Sequence, residues 1–199
     1  MVTPYPLVSG PAALAFWTVY AVAFGPDLVR TLREDDPDPD AVRDAGSKYV
    51  IAACNAGSYG LAVLLAVGVP AATIRPARTA VFVCGLGVTL VGAALRWYAI
   101  RALADAFHGT VHVERDQSVV EVGPYRWVRH PSYTGGILMF LGIALALTNW
   151  LSLLAVCVGV AVGYGYRIRI EERALRATLG DAYAAYAERT SYRLVPYVY

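Results

Sequence analysis

Residues 131 to 166 contain no charged side chain. A membrane-spanning helix needs about 20 apolar residues, so this stretch is too long for one span and short for two. Asn149 lies at its middle, between Thr148 and Trp150. The pattern predicts a tight helical hairpin whose arms run about 17 residues each. At 1.5 Å per residue such an arm is about 26 Å long and barely crosses a hydrocarbon core of about 30 Å. The rest of the chain fits the same setting. It is 57% hydrophobic and 16% charged, which is too little charge to cover the surface of a soluble domain of this length. The fold class is therefore all-α, a polytopic integral membrane protein.

Three further apolar runs precede the hairpin, over residues 7–29, 49–72 and 79–100, which makes about five spans. The first ends at Gly25-Pro26-Asp27, and a polar loop rich in Asp and Pro follows to Lys48. A short link with Arg75, Pro76 and Arg78 joins the second run to the third. Residues 101–130 are mixed and polar; Val-His-Val at 111–113 and Val119-Val120 read as short extended pieces. After Arg167 the charge returns. There Leu175, Leu179, Tyr183 and Tyr186 are spaced 4, 4 and 3, as one face of an amphipathic helix that Gly180 interrupts. With the C-terminus inside, the inner segments hold 15 Lys and Arg and the outer ones hold 2, Arg75 and Arg78. That asymmetry predicts an outside N-terminus and a cytoplasmic C-terminal helix. Two regions follow: residues 1–104, with three spans, and residues 105–199, with a loop, the hairpin and the terminal helix. The first Lys or Arg is Arg30, so the N-terminus does not read as a secretory signal.

Several features have plain explanations. Gly85 with Gly92, and Gly159 with Gly163, permit close helix contact. Cys54, Cys84 and Cys157 lie inside apolar runs without metal-ligand spacing and read as small apolar residues. His108 and His112 stand at i and i+4 but lack a third ligand, so no metal is expected. A net charge of +2 gives no reason to expect nucleic acid.

Two clusters carry chemistry. The first is Gly123-Pro124-Tyr125-Arg126-Trp127-Val128-Arg129-His130-Pro131-Ser132-Tyr133-Thr134-Gly135-Gly136, at the entrance to the hairpin. Its prolines stop regular helix, and Pro131 suits the first turn of the next one. The amides of Ser132, Tyr133 and Thr134 would then be free at a helix N-terminus, where anions bind. The second is Arg167-Ile168-Arg169-Ile170-Glu171-Glu172. Arg167 and Glu171 are i and i+4, so a cation and an anion share one helix face. Each cluster alone reads equally as an interfacial anchor or a surface salt bridge. Because both flank one short hairpin, they are expected to meet in space.

At these clusters the sequence resembles the isoprenylcysteine carboxyl methyltransferases, within a wider group that includes phospholipid methyltransferases. The resemblance rests on G-P-Y-R-W-V-R-H-P-S-Y-T-G, then E-E-R-A-L, L-G-D-A-Y-A-A-Y and R-L-V-P, and covers about residues 105 to 196. It implies S-adenosyl-L-methionine as methyl donor, with S-adenosyl-L-homocysteine as product. It also implies a cofactor segment at Gln117, Ser118, Val119 and Val120, with Gln117 standing where the family has a histidine. Tyr125, His130, Pro131, Ser132, Tyr133 and Glu171 match cofactor-binding positions, and Arg167 matches a substrate-side arginine. Arg167 and Glu171 are the expected catalytic residues. A carboxylate acceptor is already ionised at neutral pH, so positioning and desolvation matter more than a general base. Arg167 would orient that carboxylate, Glu171 would hold the donor's ammonium, and His130 with the free amides would take the donor's carboxylate. Tyr125 would offer an aromatic face to the nucleoside or the sulfonium.

The expected partner is a lipophilic acceptor that enters from membrane lipid, first a prenyl-cysteine-like carboxylate and second a lipid headgroup amine. Trp97, Tyr98 and Phe107 read as interfacial anchors or as the lining of that entrance. An NADPH-dependent sterol-type membrane reductase carries a similar His-Pro-x-Tyr-x-Gly core and is the competing enzyme class; a non-catalytic membrane protein is the third reading. The Ala-, Val- and Arg-rich composition with a single Lys points to a GC-rich bacterial genome and so to the inner membrane.

Overall fold

The computed structural model describes residues 10–33, 46–103 and 119–199. Within the described residues six α-helices run in order: α1 Gly10–Arg33, α2 Ser47–Gly68, α3 Arg78–Leu103, α4 Pro131–Ala146, α5 Trp150–Leu179 and α6 Asp181–Arg189. Among the described residues, two single 3-10 turns interrupt the connections, Pro70–Ala72 and Gly123–Arg126. Among the described residues there is no strand. Val119 and Val120 have no regular structure, and the Val-His-Val piece lies outside the described residues.

Four helices, α1, α2, α3 and α5, are long and apolar enough to cross a membrane. Their outer faces expose Leu14, Leu64, Val83, Val91, Leu154 and Val158, an apolar surface that water would not tolerate and lipid would. The protein is an integral membrane protein. The hairpin forms where predicted, but its arms are unequal. α4 has 16 residues and so spans about 24 Å, whereas α5 has 30 and carries the chain well past the apolar stretch. α4 is also the most enclosed helix, with Met139, Ile143, Ala144 and Ala146 almost fully buried.

Close backbone approach holds this bundle together, because lipid removes the hydrophobic drive between helices. α3 and α4 touch through glycines. A Cβ on Gly92 would lie 2.7 Å from the Gly135 carbonyl, and one on Gly142 would lie 2.5 Å from the Thr89 amide. Gly85 would likewise meet Ala146 N at 2.5 Å. α2 and α5 approach at Gly159, against Ser58, and at Gly163, against Cys54. Gly85, Gly92, Gly159 and Gly163 therefore serve packing.

The hairpin turn is pinned to the α2–α3 link. Asn149 caps α5 by accepting from the Ser152 amide (3.0 Å) and donates to the Val69 carbonyl (3.2 Å). The Ile74 amide donates to the Thr148 carbonyl at 2.8 Å, and Arg78 Nε donates to Thr148 Oγ1 at 3.2 Å. These ties fix one end of the bundle and leave the chemical residues at the other.

The first span corrects its predicted end. Gly25-Pro26-Asp27 was expected to stop the helix, yet α1 continues to Arg33 with Pro26 inside it. Beyond the proline, the Asp27 side chain is ion-paired to Arg96 of α3 and to Arg30, and its carbonyl accepts from the Thr31 hydroxyl, which ties the last turns of α1 to α3. A proline takes one backbone hydrogen bond from a helix, a loss that membrane helices tolerate.

Candidate active site

The site lies where the Gly123–Arg126 turn, the start of α4 and the middle of α5 converge. Gly123 allows the turn because its φ is +58° and a Cβ there would press on the Tyr98 hydroxyl at 3.1 Å. The turn buries Tyr125, whose carbonyl accepts from the Tyr186 hydroxyl of α6 at 2.7 Å. The Tyr125 hydroxyl is hydrogen-bonded to the Ser132 side chain, and burial pushes its pKa well above the usual phenol range. Pro131 opens α4, as the sequence predicts, and His130 stands at the capping position without a side-chain capping bond.

The backbone there differs from expectation in one respect. The Tyr133 and Thr134 amides are not free: both donate to the His130 carbonyl, at 3.0 and 3.1 Å. A capping turn tightens the helix start and satisfies its own donors. The anion site expected from those amides is thus reduced to Ser132 and the His130 ring.

Side chains from both clusters meet around Tyr133. Its ring stacks on His130 (centroids 5.4 Å apart, 5° between planes), and its hydroxyl accepts from Arg167 Nε at 3.1 Å and is also hydrogen-bonded to Glu171. Arg167 is buried and donates through Nη1 to Ser47 Oγ at 2.7 Å, so the first residue of α2 closes over it. His130 Nδ1 stands 3.7 Å from Glu171 Oε2 and its Nε2 stands 3.5 Å from Glu172 Oε1. Both His130 Nε2 and Glu171 Oε2 are buried without a hydrogen-bond partner among the described residues. His130 Nε2 is turned towards Glu172, whereas Glu171 Oε2 has only the Nδ1 side of the ring near it; a buried carboxylate oxygen left unpaired is costly and marks a place where a polar ligand completes the bonding.

The neighbouring Glu172 has a different task. It is buried and accepts from Arg129 Nε (2.9 Å) and from Arg193 Nε and Nη2 (3.1 Å each). Arg129 also donates to the carbonyls of Thr190 (2.8 Å) and Ser191 (2.9 Å). The Arg129 and His130 amides donate to the carbonyls of Tyr192 and Arg193, at 2.9 and 2.8 Å. Thr134 Oγ1 closes the strap on the Leu194 carbonyl at 2.7 Å. The C-terminal segment therefore holds the His130-Pro131 corner from outside. Sequence reasoning quoted Arg129, Glu172 and R-L-V-P as motif letters but gave them no role. Their only signal was adjacency to residues that had one.

Tyr125, His130, Pro131, Ser132, Tyr133, Arg167 and Glu171 thus form one constellation. Val119 and Val120 are half-buried just before the Gly123 turn. Gln117 and Ser118, with His108, His112 and Phe107, lie outside the described residues. Asp27, Arg96 and Ser47 went unnoticed because nothing local links them to the motifs.

This constellation is matched by the profile of phospholipid methyltransferases, which covers residues 80–182. The chain belongs to the phospholipid methyltransferase family. The family match begins inside α3, further upstream than the resemblance at the motifs. The chain is 33% identical over 107 residues to protein-S-isoprenylcysteine O-methyltransferase B of Arabidopsis thaliana, over 53% of this chain and 54% of that protein. It is 34% identical over 107 residues to the protein-S-isoprenylcysteine O-methyltransferase of Tribolium castaneum, over 53% of this chain and 38% of that one. The matched part spans about half or less of these relatives. The structure of the eukaryotic intramembrane Ras methyltransferase ICMT (isoprenylcysteine carboxyl methyltransferase) shares the fold, with a TM-score of 0.64 at 23% identity, covering 97% of this chain and 70% of that one.

Proposed function

We propose that the protein is an integral-membrane methyltransferase that uses S-adenosyl-L-methionine to methylate a lipophilic acceptor, in first place the carboxylate of a prenyl-cysteine-like molecule. The observation that carries this reading is the buried Glu171 Oε2, which has no hydrogen-bond partner among the described residues and lies 3.7 Å from His130 Nδ1, beside the Tyr133 hydroxyl that Arg167 also holds. The donor set fits the cofactor's polar end: a carboxylate for an ammonium, an imidazole and the Ser132 amide for a carboxylate. When bound, the cofactor supplies a sulfonium methyl for in-line displacement. Tyr125 offers it an aromatic wall.

Arg167 orients the acceptor. Ser47 and Tyr133 hold its guanidinium in place, so little entropy is lost when a carboxylate docks against it. No strong base is required, because a carboxylate is a nucleophile at neutral pH. The family description favours a lipid headgroup amine as second acceptor; a fixed cation at the acceptor side argues for the carboxylate instead. The Lys and Arg asymmetry supports a cytoplasmic site, open to a soluble donor from water and to a lipid-tailed acceptor from the bilayer. The composition supports a bacterial inner membrane, whereas the relatives are eukaryotic, so the acceptor is defined by its chemistry and not by their substrates.

The test is equilibrium binding of labelled S-adenosylmethionine to detergent-purified protein, with NADPH as competitor. Saturable binding that NADPH leaves intact, and that Glu171→Ala abolishes, is the expected result. Displacement by NADPH would transfer the protein to the reductase class.

A further inference from the structure

Asp27 lies outside the family match, in a helix that the motifs do not touch, yet it is tied to the site. Its carboxylate pairs with Arg96 Nε at 2.5 Å, across 69 positions of sequence. Both side chains are largely buried, with Arg96 14% and Asp27 24% exposed. Arg96 in turn donates from Nη1 to the Ser132 carbonyl at 3.1 Å. The backbone there is already immobile: a Cβ on Gly135 would lie 2.6 Å from the Arg96 amide. Ser132 is thus held from two sides, by Tyr125 on its hydroxyl and by Arg96 on its carbonyl.

We infer that Asp27 is a positioning residue for the methyl-donor site, acting through Arg96 on Ser132 and the first turn of α4. The inference rests on the donor reading given above. A guanidinium beside the start of α4 opposes the helix macrodipole, which is positive at that end. Asp27 offsets this and keeps Arg96 extended towards the Ser132 carbonyl. Close by, α1 and α3 border an open groove lined by Val22, Gly25, Val29 and Trp97. The Asp27–Arg96 pair is therefore the polar link from α1 to the site, next to the apolar contact of Ala23 and Phe24 with Ala93 and Met139.

The test measures donor affinity and thermal unfolding together, on the full chain in detergent, for wild type, Asp27→Asn, Asp27→Glu, Arg96→Lys and the Asp27→Asn/Arg96→Lys double variant. Asp27→Asn and Arg96→Lys should each weaken S-adenosylmethionine binding about tenfold while the protein still unfolds cooperatively. Asp27→Glu, which keeps the charge, should lie within about threefold of wild type. The double variant should be no worse than the poorer single one, because both act through one contact. Unchanged affinity in Asp27→Asn, or losses that multiply in the double variant, would overturn the positioning role. So would a loss of binding that merely follows loss of folded protein across the single variants. Absence of binding in wild type would instead sink the donor reading, and this inference with it.

Discussion

Arg129→Ala is the most informative single change to the scaffold of the site. Arg129 is buried (8% exposed) and makes its bonds to Glu172 and to the carbonyls of Thr190 and Ser191. Breaking a buried pair by removing one partner costs about 3–5 kcal/mol, because the other charge stays behind. Arg193 remains on Glu172 and softens that loss, but two tail carbonyls lose their donor, at about 1–3 kcal/mol each if water cannot reach them. Water does reach the half-open tail, so the net expectation is about 3–4 kcal/mol. At 1.4 kcal/mol per decade, the strap over residues 190–194 would then open several hundred times more often. Arg193→Ala removes a partly exposed partner of the same carboxylate (34% side-chain exposure) and should cost about 1 kcal/mol or less. Limited proteolysis at the C-terminus, with hydrogen exchange at the His130 and Arg129 amides, reads the difference. Arg129→Ala should expose the tail and deprotect both amides, while Arg193→Ala should leave them nearly intact. Equal effects from the two variants would refute the claim that burial, and not the mere presence of a salt bridge, makes Arg129 the anchor.

Other outcomes follow from the same geometry. Gly92→Ala places a Cβ 2.7 Å from backbone atoms of α4 and should lower the detergent unfolding midpoint by the equivalent of about 1–3 kcal/mol, whereas Gly87→Ala, which meets nothing within 4 Å, should be neutral. Arg167→Ala should abolish methyl transfer to a carboxylate acceptor in a radiolabel assay yet leave donor binding within a few-fold of wild type; full transfer would remove Arg167 from its role. Tyr186→Phe leaves the Tyr125 carbonyl without its donor and should cost about 1 kcal/mol of stability, with a modest rise in donor KM.

The sequence by itself determined the class of solution. An uncharged stretch with Asn149 at its centre requires a helical hairpin, because only helices satisfy their own backbone in lipid. Pro131 sets where α4 begins, and i, i+4 spacing puts Arg167 and Glu171 on one face of α5. These are local constraints, carried by neighbouring residues, and they were legible without coordinates. The spacing of Leu175 and Leu179 likewise carried the helix past Arg167 to its break at Gly180, where α5 ends. The passage of α1 through Pro26 was hidden, since the stretch beyond it is tied to α3 by a pair whose partners, Asp27 and Arg96, stand 69 positions apart.

Only the tertiary structure decided which of two adjacent glutamates faces the site. Glu171 and Glu172 look alike in sequence, but successive helix positions point about 100° apart. One turns towards His130 and Tyr133 with an oxygen left open, and the other turns into a cage of Arg129 and Arg193. The C-terminal strap, the closure of Ser47 over Arg167 and the Asp27–Arg96 tie belong to the same category. Each joins residues from different helices, and no periodicity along the chain encodes which helices become neighbours. Glycine contacts between α3 and α4, and between α2 and α5, set that neighbourhood, and the polar site is assembled from what they bring together.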